Sequence, residues 1–239
     1  MRSRLALIAV AALAGLALSA CQRDPSIAAT VGSEKITEAQ VDAILADAQN
    51  NRPQPEKTDT NPSPAPLGPV QIDRADVVRY LVMDKMCAAD QARRHFPSAD
   101  VDPAGFANFK QISPSSQYAQ MFAHMNACLS GELNGIAPVT PTDAETREIY
   151  DRAKAQGIEV AAFDQIQDQI KTNDDIKQRI ALKRSLEDQA RAQAVSINPR
   201  YRPVEVGLLP VDQNQPLIFE GPQLIVATLG QSPDAIQPF

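Results

Sequence analysis

The stretch ATVGSEKITEAQVDAIL, residues 29–45, constrains this chain's fold more than any other part. It reads as a short extended run, a turn centred on Gly32, a second short run and then a helix. Two strands alone are barely stable in water, so a distant segment has to return and pair with them. The segment VSINPRYRPVEVGLL offers that partner. Val195, Ser196 and Ile197 alternate and favour extended backbone, and Pro199 keeps the run short. Pairing of 195–197 with 29–31 or with 35–37 would join the two ends of the domain by a small sheet, with the intervening chain forming the body between them.

That intervening chain is helical by pattern. Thr37 with Gln40 forms a capping box, and Val41, Ile44, Leu45 and Ala48 follow at helical spacing, which predicts a helix over 38–49. Asp73 caps a longer helix reaching about residue 95, with Val77, Val78, Leu81, Val82 and Cys87 facing inward. Much of that helix's circumference is apolar, so it belongs in the middle of the domain. A short helix within 102–112 carries Phe106 and Phe109. The next, 115–129, has the stripe Tyr118, Met121, Phe122, Met125 and Leu129 and is expected to end near Gly131. A Met and aromatic stripe is either core or an adaptable peptide-binding face; core is the expectation. Thr142 with Glu145 starts a helix running to Gly157, a short one covers 164–171, and Asn173 caps the last, 174–194. On that last helix Ile176, Ile180, Leu186, Ala190 and Ala194 form a core-facing arc. Its charged residues, Lys183, Arg184 and Glu187 among them, read most simply as a solvated face.

The first residues form a distinct unit. Arg2 and Arg4 precede an apolar run of only 14 residues, Leu5 to Leu18, a secretory signal too short to span a bilayer comfortably. LSAC at 18–21 resembles a bacterial lipobox. The expectation is a signal peptide over 1–20, a diacylglyceryl anchor on Cys21 and a tether over 21–27, with the domain held on the extracytoplasmic face of the cell membrane. Cys87 and Cys128 are then left in an oxidising compartment. A disulfide between them is expected, with two buried free thiols as the alternative.

Charge and motifs narrow the chemistry. The chain has 23 basic against 29 acidic residues; loss of Arg2 and Arg4 leaves 21 against 29, a net charge of about −8. No basic run remains as a footprint for nucleic acid. There is no phosphate-binding G-x-x-x-x-G-K-[ST] loop, no G-x-S-x-G elbow and no H-E-x-x-H pair. The two histidines, His95 and His124, lack catalytic or metal-binding neighbours in sequence, so no metal, no cofactor and no enzymatic activity are expected. Residues 52–69 hold six prolines in 18 positions and read as an extended surface loop. Residues 202–239 are again Pro-rich, with one apolar run, QLIVATLG, that is either an added strand or an extended surface segment.

Several of these segments together resemble a known family. AATVGSEKITEAQVDAIL is similar to the opening of the SurA N-terminal domain, with its V-G/N-x-x-x-I-T/S-x-x-x-V-D pattern. ADVVRYLVMDKMCAADQARR resembles that domain's long second helix, TPTDAETREIYDRAKAQGI its third, and NDDIKQRIALKRSLEDQAR its closing helix. VSINPRY is similar to the V-N-P-R-Y/F-G that follows in actinobacterial lipoproteins carrying the domain, with Arg202 here in place of the glycine. The resemblance covers about 28–201, with 97–140 as a helical insertion. It implies a mostly α fold, a SurA N-terminal or trigger-factor-like helical domain whose ends meet in a small β-clasp. It further implies an ATP-independent chaperone or holdase for unfolded or newly secreted polypeptides. The alternative is an adaptor lipoprotein bound to one dedicated envelope protein. Only 239 − 195 = 44 residues follow Val195, too few for the parvulin domain of the full foldases, so isomerase activity is not expected. The peptide-binding residues are not assignable from sequence.

Overall fold

The computed structural model describes residues 24–53, 69–96, 100–211 and 221–230. The signal segment, Cys21, most of the proline-rich loop and the last residues lie outside them. The described chain is mostly helical, with a small antiparallel sheet.

The sheet is the clasp that the first stretch demanded. Strands β1 (Ile27–Val31) and β2 (Glu34–Thr37) form a hairpin in which Ala29 faces Ile36 and Val31 faces Glu34. The turn needs Gly32, whose φ of 58° lies in the left-handed region. On the other edge of β1 sits β3 (Ser196–Ile197), with Ala29 opposite Ile197 and Thr30 opposite Ser196. The order is therefore β2-β1-β3, and the partner of the returning chain is 29–31, not 35–37. Gly32 N–H donates to the Gln193 carbonyl at 2.6 Å and Asn198 N–H to the Ala28 carbonyl at 2.9 Å, which extends the closure beyond the ladder.

Side chains tighten the same closure. Glu38, at the start of α1 (Glu38–Asn50), accepts hydrogen bonds from Tyr201 Oη at 2.7 Å and from Arg74 at 2.8 Å, and pairs with Arg200. Burial pushes the Glu38 carboxyl up, but these three partners outweigh it and hold it below its usual range. Three segments far apart in sequence thus meet on one carboxylate.

The helices follow their caps. Thr37 and Gln40 close a capping box on α1, Asp73 caps α2 (Arg74–Arg94), and Ser116 caps α4 (Gln117–Gly135), which follows the short α3 (Ala104–Lys110). Thr142 and Glu145 form the box of α5 (Asp143–Ala155); α6 is Phe163–Thr172, and Asn173 caps α7 (Asp174–Ala192). Gly131 does not end its helix. It lies buried inside α4, because the next residue, Glu132, is itself held in the core by neighbouring helices, and that packing offsets the roughly 1 kcal/mol cost of a mid-helix glycine. Ala194 falls beyond α7 and is exposed, so the inward arc of that helix is carried by Ile180, Leu182, Leu186 and Ala190.

The largest departure from the sequence pattern follows the clasp. VEVGLLP forms β4 (Val204–Pro210), and the apolar run forms β5 (Gln223–Leu229), paired antiparallel from Val204 opposite Leu229 to Pro210 opposite Gln223. Val206, Leu208, Leu209, Ile225, Ala227 and Leu229 are buried and belong to the same core as α2, α4 and α7. The described part of 202–239 is therefore a structural hairpin lying against α2, α5 and α7. Of the two readings left open for QLIVATLG, the strand is the one the structure adopts.

Candidate functional site

The expected lipid-attachment residue, Cys21, lies outside the described residues. Cys87 on α2 and Cys128 on α4 face one another, buried, with their Cα atoms 6.1 Å apart, and are joined as a disulfide. One helical turn beyond each cysteine comes a buried carboxylate, Asp90 and Glu132. Arg94 spans both, donating to Asp90 at 2.5 Å and to Glu132 at 2.6 Å, while Ser185 and Gln189 of α7 donate to Glu132 as well. Burial alone would push the Arg94 guanidinium down; the two carboxylates reverse this and hold it above its usual value. This seam is closed and internally paired, which marks it as structural.

The stripe of α4 is core. Tyr118, Phe122, Met125 and Leu129 are buried. The rings of Phe106 and Phe122 stack at 3.6 Å, and Tyr80 of α2 packs against Tyr118 at 5.2 Å. The peptide-binding reading of this stripe therefore does not hold. Phe109, expected alongside Phe106, is instead 61% exposed and is the only large hydrophobic side chain so exposed among the described residues. His95 caps α2 in a left-handed conformation. His124 sets Nδ1 against the Asp84 carboxylate, a half-exposed pairing of α4 with α2 that their spacing in sequence does not reveal. Among the described residues no cluster of three metal-ligating side chains occurs, and no helix is long and apolar enough to cross a membrane.

The open feature lies elsewhere, where the hairpin meets α2 and α5. A cleft of about 460 Å³ is bounded by Asp76 and Arg79 on α2, by Arg152 on α5 and by Gln156 just past that helix's end. Glu205 and Gly207 of β4 and Gln223 and Val226 of β5 complete it, with Gly221 and Pro222 at its rim. Asp76 and Arg79, three apart on α2, and Glu205 and Gly207, two apart on β4, share a face by the period of their elements. Its volume falls within the usual range for small-ligand pockets, about 300–1,000 Å³. A shallower depression along the outer face of α5 shares Arg152 and adds Glu148.

Charge in the cleft is balanced but incompletely paired. Arg79 donates to Asp76 at 2.6 Å and reaches the Glu205 carbonyl only at 3.5 Å; its Nε is buried without a hydrogen-bond partner among the described residues. Arg152 donates from Nε to Glu148 at 3.2 Å, and its second nitrogen stands 3.7 Å from Glu205, too far for a hydrogen bond. Gln223 is only 8% exposed, and its amide makes no hydrogen bond among the described residues. Its place depends on Gly207: a Cβ there would come within 2.5 Å of Gln223 Cδ. Behind β5, Glu187 of α7 accepts from Thr228 N–H at 3.3 Å, and burial pushes its carboxyl up.

Lys183 and Arg184 of α7 do not form a free surface. They pair with Glu148 at 2.9 Å and with Glu145 at 2.5 Å, and so position α5 for the cleft. The cleft residues come from three distant segments and share no motif. The two usable signs in the sequence were a lone glycine in VEVGLLP and a glutamine opening an apolar strand. The lining offers donors, acceptors and two guanidiniums, and none of its side chains is a hydroxyl, thiol, imidazole or amine. No protein-family model matches the chain, and no curated protein or solved structure matches it either.

Proposed function

We propose that this chain is an extracytoplasmic lipoprotein, anchored through Cys21, that binds polypeptide and carries no catalytic site. The observation that supports this reading is the pairing of β1 with β3, Ala29 opposite Ile197. It returns the end of a helical domain to its beginning, the arrangement implied by the resemblance of these segments to the SurA N-terminal domain. The signal segment and lipobox supply the location.

Of the two polypeptide-binding roles, the polar surface favours a dedicated envelope partner over a broad holdase. A holdase gathers unfolded clients by burying apolar surface. Among the described residues the Met and aromatic stripe is internal, Phe109 stands alone, and the cleft is lined mainly by charged and amide side chains. Such a surface selects a hydrophilic segment and leaves sticky ones in solution.

The test has two parts on one preparation. Light scattering asks whether the protein slows aggregation of an unrelated unfolded protein at near-stoichiometric amounts; pull-down from solubilised envelope asks what it retains. One stoichiometric partner with no suppression is the expected result. Suppression of several unrelated clients would restore the holdase reading, and a Cys21→Ser variant still fractionating with membranes would remove the lipid anchor.

A further inference from the structure

We infer that the cleft between α2, α5 and the β4–β5 hairpin is the polypeptide site, and that it reads the main chain of a hydrophilic, extended segment. This rests on the proposed polypeptide-binding role and names its place and ligand chemistry. Three observations converge. Gln223 presents an amide, one donor and one acceptor group, from a position more than nine-tenths buried, with no protein partner among the described residues. The group that satisfies both ends of such an amide at once is another amide, the repeating unit of a peptide backbone. Gln156 repeats the same donor and acceptor on the facing wall.

The guanidiniums set the polarity of the ligand. Arg79 reaches the Glu205 carbonyl only at 3.5 Å, and Arg152 stands 3.7 Å from the Glu205 carboxylate with donor capacity to spare. Both can donate to peptide carbonyls. Asp76 and Glu205 neutralise them, so the cleft does not attract an anion as a bare basic pocket would; the partly exposed Glu205 carboxylate can accept a peptide N–H group instead. Of the lining side chains only Pro222 and Val226 are apolar, which leaves little to hold a Leu- or Phe-rich segment.

Gly207 makes the geometry testable. Its φ is ordinary, so alanine strains no backbone there, but the new methyl occupies the space of the Gln223 side chain and displaces the amide. Binding is measured by calorimetry on the whole protein in detergent. One probe is a capped octapeptide of Ser, Asn, Gly and Gln; the second is the same peptide N-methylated at its three central residues; the third is a Leu- and Phe-rich octapeptide. The expected result is binding of the first, at least tenfold weaker binding of the second, and a five- to tenfold loss for Gln223→Ala and for Gly207→Ala. Equal binding of the N-methylated peptide would overturn main-chain reading without any protein variant. Binding of the apolar peptide, unaffected by both substitutions, would overturn this site while leaving polypeptide binding in place. Failure of all three peptides would overturn both.

Discussion

Arg94 and Arg152 each reach from a helix to two carboxylates, and the difference between them separates the part of the molecule that holds it together from the part that is free to bind. Arg94 meets Asp90 and Glu132, both almost fully buried, at 2.5 and 2.6 Å. Arg152 meets Glu148 and Glu205, both about two-fifths exposed, at 3.2 and 3.7 Å. The first lies in a seam where α2, α4 and α7 shield both carboxylates from water and a disulfide fixes the spacing. The second stands near the end of α5, where the hairpin leaves a gap. Burial makes a paired charge hard to remove because the partner left behind has no solvent. Exposure keeps the interaction weak and the hydrogen-bonding capacity available. The same residue types therefore serve cohesion in one place and offer recognition in the other.

The largest effect is expected from cutting the seam's covalent link. Cys87 and Cys128 are 41 residues apart, and for a closed loop of that size the chain-entropy argument gives about 4 kcal/mol. The double Cys87→Ala, Cys128→Ala variant should lose close to that amount in urea denaturation; a loss below about 1 kcal/mol would mean that packing alone holds α2 to α4. Arg94→Ala comes next. It leaves two buried carboxylates short of their shared cation, which costs about 3 kcal/mol. The lower end of the range applies because Arg93 still reaches Asp90, and Ser185 and Gln189 still reach Glu132. A stability within 1 kcal/mol of the parent would show that Asp90 and Glu132 take up protons or water without strain.

The two regions also differ in how far the sequence revealed them. The helices were legible because their signals are local: capping residues at Thr37, Asp73, Thr142 and Asn173, and apolar spacing along each turn. The clasp was legible because a lone hairpin needs a partner and the run 195–197 comes directly after the last helix, where the chain returns to its start. Helix α4 was expected to end at Gly131, and it continues because Glu132 is held by residues on two other helices, a tertiary effect that no local signal carries. Strand β4 was hidden by the prolines around VEVGLLP, and with it went the cleft, since half of the cleft is built from the hairpin. Lys183 and Arg184 looked solvated for a similar reason: their partners Glu145 and Glu148 lie nearly 40 residues away in the chain. Cooperation between distant segments, rather than weak propensity, set the limit.

Between the seam and the cleft lies an ion pair of intermediate strength, Glu145 with Arg184, which joins α5 to α7. Burial pushes the Glu145 carboxyl up, but Arg184 and the Thr142 backbone and hydroxyl outweigh it and lower it from 4.5 to about 2. A carboxyl lowered in the folded state stabilises that state fully above its unfolded value, and the gain is lost as pH falls from about 4.5 towards 2. Arg184 is partly exposed, so solvent screening reduces the contribution to about 1–2 kcal/mol. Glu145→Gln should flatten the fall in stability between pH 5 and pH 2 while lowering stability at pH 7 by that amount. An unchanged acid limb in pH-dependent denaturation would assign the acid sensitivity to other carboxylates.

Arg152→Ala is expected to have the smallest effect on stability, and it bears most directly on the comparison. Its two partners are exposed enough to be solvated when it leaves, and Glu148 keeps Lys183 at 2.9 Å. Exposed pairs of this kind contribute about 0–1 kcal/mol, so a change of no more than about 0.5 kcal/mol follows, a shift of 1–2 °C at most in a domain of this size. Peptide binding should nonetheless weaken, because a guanidinium donor is lost from the cleft wall. That separation of effects is what distinguishes a binding residue from a structural one. If Arg152→Ala destabilised the fold as much as Arg94→Ala, the cleft would be a second seam, with its charges committed to holding α5 against the hairpin and nothing left over for a ligand.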